Sequence, residues 1–147
     1  MTVSVFSAAK RLCELNDWSI SNLELQKLLY LAHMVRLGRT GAPLIDGGFE
    51  ASNYGPVQPS LYHRAKVFGS DPVGNVFHTA GPVVPGQDLD ALQEISEQLK
   101  GAAPGKLVAI THWEQGAWAK HYHPSYRGMP IPNEDIQQEY LDRMVSF

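Results

Sequence analysis

Cysteine is almost missing from this chain, since Cys13 stands alone among 147 residues. One chain can therefore form no internal disulfide and no zinc cluster built from several thiolates. The place of Cys13 beside Leu12 on an amphipathic stretch assigns it to the core as a small filler rather than to a reactive thiol. No apolar run is long enough to span a bilayer. The N-terminus has no basic stretch leading into an apolar one, because Lys10 and Arg11 interrupt the first candidate, so no secretory signal is readable and the expected location is cytoplasmic. Excess positive charge is also lacking: the formal net charge of −3 gives phosphate backbones no overall attraction. Neither Gly-x-x-x-x-Gly-Lys nor Gly-x-Gly-x-x-Gly occurs, and Gly47-Gly48 leads into a strand pattern, which removes the usual phosphate cradles. Ser52, Ser60 and Ser125 sit in no Gly-x-Ser-x-Gly elbow, and no internal repeat is detectable.

What is present is the composition of an ordinary globular protein, with 44% hydrophobic and 18% charged residues, so residues 1–147 are read as a single domain. Val5, Ala8, Ala9, Leu12 and Leu15 recur at helical spacing behind Ser4, a candidate cap. Ser21 followed by Glu24 makes a capping box, and the run from Leu23 to Leu37 is apolar on nearly every face, as an enclosed central helix requires; Gly38 is read as its end. Phe49 to Tyr54 reads as a short strand or hairpin arm, and Pro59 opens a helix closed by Gly69. Ser70 to Gln87 is rich in Pro and Gly, the pattern of a loop that is mobile or used in binding. Asp88 is read as the cap of a helix with Leu89, Leu92, Ile95 and Leu99 on its buried side, ending at Gly101. A further helix runs from about Pro104 into Trp113, Pro124 to Pro132 is loop-like, and a final helix starts at Asn133. The expected fold is mainly α (α+β), a compact bundle of about five to six helices around a central apolar helix with a small two- or three-stranded sheet or hairpin.

His112, Glu114, His121 and His123 lie close together in sequence and are all capable of ligating a transition metal. Their spacing is not that of a helical zinc site, and the zinc deaminase pattern needs cysteines this chain lacks, so no metal or other cofactor is assigned. Lys10-Arg11, Arg36-Arg39 and His63-Arg64-Lys66 are the basic groupings; they leave a DNA-binding regulator as the alternative reading, although each is small enough to be an ordinary solvated helix face. Charge is uneven, with seven Lys and Arg against five Asp and Glu in residues 1–69 and five against ten in residues 70–147. An acidic second half can attract a basic partner protein, or can simply be a solvated surface.

Aromatic residues stand out: Tyr30 on the central helix, Tyr54 at the strand end, Tyr62, and the group Trp113, Trp118 and Tyr122. Such residues pack cores and also dominate interface hot spots. Gly55 and Pro56 suit a rigid exit from the strand, because glycine permits a backbone angle other residues avoid and proline fixes the next.

The run Leu25-Gln26-Lys27-Leu28-Leu29-Tyr30-Leu31-Ala32, then Gly41-Ala42-Pro43-Leu44, then Tyr54-Gly55-Pro56-Val57-Gln58-Pro59-Ser60-Leu61-Tyr62, and later Thr111-His112 through Trp118, resembles the Panacea domain of SocA-type bacterial and phage-associated antitoxins. Two positions depart from that pattern: Ala117 stands where a Pro usually precedes the Trp, and Asn53 where a Trp is common. The resemblance implies a mostly helical fold with a small sheet, no enzymatic activity, no small-molecule substrate, and a cognate toxin protein neutralised by direct binding. For the SocA-type class it further implies a proteolytic adaptor handing the toxin to ClpXP. The residues expected to bind the partner are Tyr54, Gly55, Pro56, Val57 and Tyr62 as one patch, with His112 and Trp118 behind it.

Overall fold

A helix whose first turn is satisfied by its own side chains anchors the architecture. The computed structural model, which describes residues 2–145, has Ser21 Oγ accepting from the Glu24 amide at 3.3 Å while the Glu24 carboxylate accepts from the Ser21 amide at 3.0 Å. Behind this box runs α2 (Asn22–Thr40), flanked by α1 (Val5–Leu15), α4 (Gln87–Gln98), α5 (Pro104–Thr111) and α7 (Asn133–Val145). Leu25, Leu28, Leu29, Tyr30, Leu31, Ala32, Met34, Val35 and Leu37 are all buried, so the helix is enclosed on every side. The remaining elements are β1 (Phe49–Ser52), β2 (Gly55–Val57), α3 (Pro59–Ala65) with a single 3-10 turn at Lys66–Phe68, α6 (Ala117–His121) and β3 (Met129–Ile131).

The strands form an antiparallel sheet in the order β2-β1-β3, with Glu50 opposite Val57 on one side and Phe49 opposite Ile131 on the other. The inward residues Phe49, Ala51 and Ile131 are buried, and Phe49 meets the Tyr30 ring edge-on at 5.2 Å between centroids. The mainly α fold with a small sheet is as expected. It contains seven α-helices among the described residues rather than five or six, because the five-residue α6 has no periodicity to read. The stretch expected to be loop-like from Pro124 to Pro132 contributes β3, which is defined by its partner strand rather than by propensity.

Two helix ends also differ from expectation. The central helix does not stop at Gly38; it continues to Thr40, and Gly41 in the left-handed region (φ +76°) is the terminating glycine. Gly38 serves packing instead, since a Cβ there would overlap the Tyr140 ring of α7. Asp88 is not a cap but lies in the first turn of α4, where Arg36 Nε donates to its carboxylate at 2.8 Å. Ser4 occupies the N-cap position of α1 without a side-chain cap bond. Cys13 is fully buried, and burial pushes its thiol up to about 12, which keeps it an inert filler at neutral pH.

Of the stretch expected to be a loop from Ser70 to Gln87, Gln87 already opens α4, and the rest, to Gly86, has no helix or strand of its own yet is tied down. The Val73 amide donates to the Ile20 carbonyl at 2.9 Å, and Val73, Phe77 and Val83 enter the core. Among the described residues no helix is long and apolar enough to cross a membrane.

Candidate functional site

The Asn53-Tyr54 turn between β1 and β2 builds the site. Ser52 pairs with Gly55, and the Ser52 hydroxyl donates to the Gly55 carbonyl at 3.0 Å while accepting from the Tyr54 amide at 3.1 Å. This tight closure throws the Tyr54 ring outward, leaving it 68% exposed. Gly55 has φ +95°, and a Cβ added to it would sit 2.7 Å from Lys27 Nζ and 2.8 Å from His112 Nε2. Both the backbone angle and the space beneath therefore require glycine.

What lies under the turn is unusual for a core. Lys27, fully buried on α2, donates its ammonium to the Tyr54 carbonyl. Burial drives its pKa down to about 8. Burial also lowers the pKa of His112; the Tyr54 carbonyl opposes that fall, and the Lys27 charge adds to it. His112 Nε2 nevertheless completes no hydrogen bond of normal geometry among the described residues. Because Lys27 binds its proton less tightly when folded than unfolded, its charge opposes folding below about pH 8, and that penalty fades as pH rises through the window from about 8 to the ordinary lysine value of 10.5. Lys27→Met is accordingly expected to raise stability at pH 7 by about 1–3 kcal/mol and to flatten the rise between about pH 8 and 10.5, as read by urea unfolding across pH.

Behind the hairpin stands a stack of rings. His112 lies parallel to Trp118 at 4.2 Å between centroids, and Trp118 stacks in turn on Tyr122 at 4.7 Å. Each of the last two also grips the turn: Trp118 Nε1 donates to the Ser52 carbonyl at 2.7 Å, and the Tyr122 hydroxyl donates to Asn53 Oδ1 at 2.7 Å. The departure at Asn53 thus supplies an acceptor a Trp would not. The departure at Ala117 supplies a donor, because its amide donates to Glu139 Oε1 at 3.0 Å and a proline has no such N–H.

On the other side of the hairpin, Gln58 ties β2 to its neighbours. Its amide donates to Gln26 Oε1 at 2.8 Å, its carbonyl accepts from Gln26 Nε2 at 3.2 Å, and its own side chain caps α3 by accepting from Leu61 at 2.8 Å. Pro59 occupies the first turn of α3, as its fixed φ favours. Between this helix, the hairpin and the start of α2 lies an open groove of about 400 Å³ whose apolar lining includes Leu23, Tyr54, Val57 and Tyr62, the last 43% exposed.

Of the residues singled out in the sequence, Tyr54, Val57 and Tyr62 therefore meet on one groove, Gly55 and Pro56 are buried backbone positions that shape it, and His112 and Trp118 stand behind. Sequence reasoning missed Asn22, Lys27 and Lys66 as further lining residues. The available signal was Lys27 itself, a charged residue in the middle of a helix apolar all round.

The histidine cluster does not assemble. His112 joins the ring stack, His121 Nε2 pairs with Asp135 at 2.5 Å, and His123 packs on Tyr126; among the described residues no group of three or more His, Cys, Asp or Glu converges to hold a metal. The basic groupings are largely occupied, with Arg36 on Asp88, Arg39 on Glu94 and Arg64 over the Phe6 ring.

Comparison with known proteins agrees with this geometry. The family described as "Antitoxin SocA-like, Panacea domain" matches residues 25–119, from α2 through most of α6. The antitoxin SocA of Caulobacter vibrioides (strain NA1000 / CB15N) is 33% identical over 112 residues, which cover 69% of this chain and 60% of that protein. The chain thus spans about 60% of the length of the curated relative it matches. No solved structure matches it. The matched span takes in most of the central helix, the glycine hairpin, the Pro59 helix and the stacked pair His112 and Trp118, and on that footing the chain belongs to the SocA-like antitoxin family of Panacea-domain proteins.

Proposed function

We propose that the chain is the antitoxin of a bacterial toxin–antitoxin pair, a non-enzymatic cytoplasmic protein that neutralises its cognate toxin by binding it directly. It works as a proteolytic adaptor, presenting the bound toxin to the ClpXP protease. The observation that carries the binding face is the convergence of exposed Tyr54 and Tyr62 with Val57 on one groove, held on a hairpin that side chains from α2 and the ring stack brace. Tyrosines offer large contact area with few rotatable bonds, and a braced turn loses little freedom on binding, so both features favour a protein interface. Family membership supports the antitoxin role. The reading as a DNA-binding regulator gains no comparable support, since Arg36 and Arg39 are paired with acidic side chains.

Co-expression with the neighbouring open reading frame tests the proposal: the chain should relieve growth arrest caused by that product and be retained on it in a pull-down. Tyr62→Ala is expected to weaken retention at least about 30-fold while leaving the melting temperature within about 2 °C. Loss of folding instead would return Tyr62 to a packing role. Toxin half-life should shorten in the presence of the chain only in cells that contain ClpXP; an unchanged half-life would reduce the mechanism to masking.

A further inference from the structure

The groove beside the hairpin has a chemical polarity of its own. Its lining includes two lysines, Lys27 at the base and Lys66 at the rim, and no carboxylate. Neither forms an ion pair among the described residues, and Lys27 has only the Tyr54 carbonyl as hydrogen-bond partner. The wall also carries Asn22, only 7% exposed, whose Oδ1 is a buried acceptor with no partner among the described residues. Leu23, Val57 and the two tyrosines complete an apolar surface between these polar points.

We propose that the groove takes an acidic, apolar segment of the partner protein: an aliphatic or aromatic side chain set against Leu23, Val57 and Tyr62, and a neighbouring Asp or Glu drawn to the exposed Lys66 at the rim, above the buried charge of Lys27. Charge complementarity selects this occupant. The net charge of −3 repels a long polyanion, so the cations act locally, where a single carboxylate can reach Lys66 and feel the charge of Lys27 beneath it. The inference rests on the proposed partner-binding role and specifies what is bound. It differs from the basic partner that the acidic second half of the sequence could attract, and leaves that half the other reading it allowed, a solvated surface.

Random heptapeptides displayed on phage and selected on the immobilised full-length chain are the probe. The expected result is enrichment of Asp or Glu within two residues of Leu, Ile, Phe or Met. The strongest binders, made as synthetic peptides, should bind Lys66→Glu at least about tenfold more weakly, and replacing their acidic residue by Lys should restore binding to that variant. Circular dichroism of Lys66→Glu should be unchanged, as expected for a rim residue. Selection without acidic enrichment, peptides that ignore Lys66→Glu, or displacement of the peptides by a short oligonucleotide would each overturn the inference. Retention of the neighbouring gene product through Tyr62, together with no acidic bias in the peptides, would sink this inference and leave the proposed function standing. An acidic bias that depends on Lys66, with no retention of that product, would support the inference and strike only the proposed function.

Discussion

Glu139→Ala is expected to destabilise the protein by about 3–5 kcal/mol, with a fall in Tm on the order of 10 °C. The carboxylate is 1% exposed and is the junction of several elements. Its Oε1 accepts from the Tyr30 hydroxyl of α2 at 2.7 Å and from the Ala117 amide of α6 at 3.0 Å, while Oε2 accepts from Arg143 Nη2 at 2.6 Å and Nε at 2.9 Å. Arg143 in turn donates to the Ile110 carbonyl of α5 at 2.6 Å and lies over the Trp113 ring. Removing the carboxylate leaves a hydroxyl, an amide and a guanidinium without their acceptor in a region with little water, and each such orphan costs more than the bond itself was worth. Even the approach is shaped for this group, because a Cβ at Gly116 would come within 2.9 Å of Oε1. Glu139→Gln, which keeps one acceptor but no charge for Arg143, should fall between the parent and the alanine variant. Urea unfolding followed by circular dichroism measures both; a loss under about 1 kcal/mol for the alanine variant would mean that the network is not a structural junction.

The second large effect is expected at Gly55. Gly55→Ala places a β-carbon in the left-handed region and against two buried polar atoms, so the backbone strain of about 1–2 kcal/mol adds to the displacement of Lys27 and His112, for a total of about 2–4 kcal/mol. The variant carries a signature that simple destabilisation lacks. With Lys27 pushed off the Tyr54 carbonyl toward water, the stability increase between about pH 8 and 10.5 should shrink toward that of Lys27→Met. Partner retention should be lost as well, because Tyr54 rides on the same turn. A parent-like pH profile in Gly55→Ala would show that Lys27 is not held by the turn.

These two sites differ in how far the sequence discloses them. The capping box at Ser21, the enclosed run of α2, the proline start at Pro59 and the need for glycine at position 55 are local in origin, so spacing and residue type suffice to read them. Gly38 and Gly41 could not be told apart in the same way. Both are glycines near a helix end, and only the approach of Tyr140 from α7 reveals that one is a packing gap and the other a terminator. Asp88 has the residue type of a cap, yet Arg36 from another helix takes its carboxylate. The strand β3 contains Pro130 and is three residues long, too short for alternation to register, so pairing with β1 alone defines it. The tyrosines of the groove were legible as a motif, whereas Lys27 was hidden among the leucines of its helix and Glu139 among the acids of a helix that reads as ordinary surface.

The position of β3 in the chain has a consequence for biosynthesis. Strand β1 carries the hairpin, yet its outer neighbour is residues Met129–Ile131, more than seventy positions later. A ribosome delivers the chain in order, so the turn bearing Tyr54 emerges early and waits while the segments that brace it, first His112 and Trp118 and then β3, are still being made. During translation the newborn chain therefore has the hairpin and its Tyr54 spelled out but not yet stiffened, and the braced form of the groove arrives only as the last part of the domain leaves the exit tunnel.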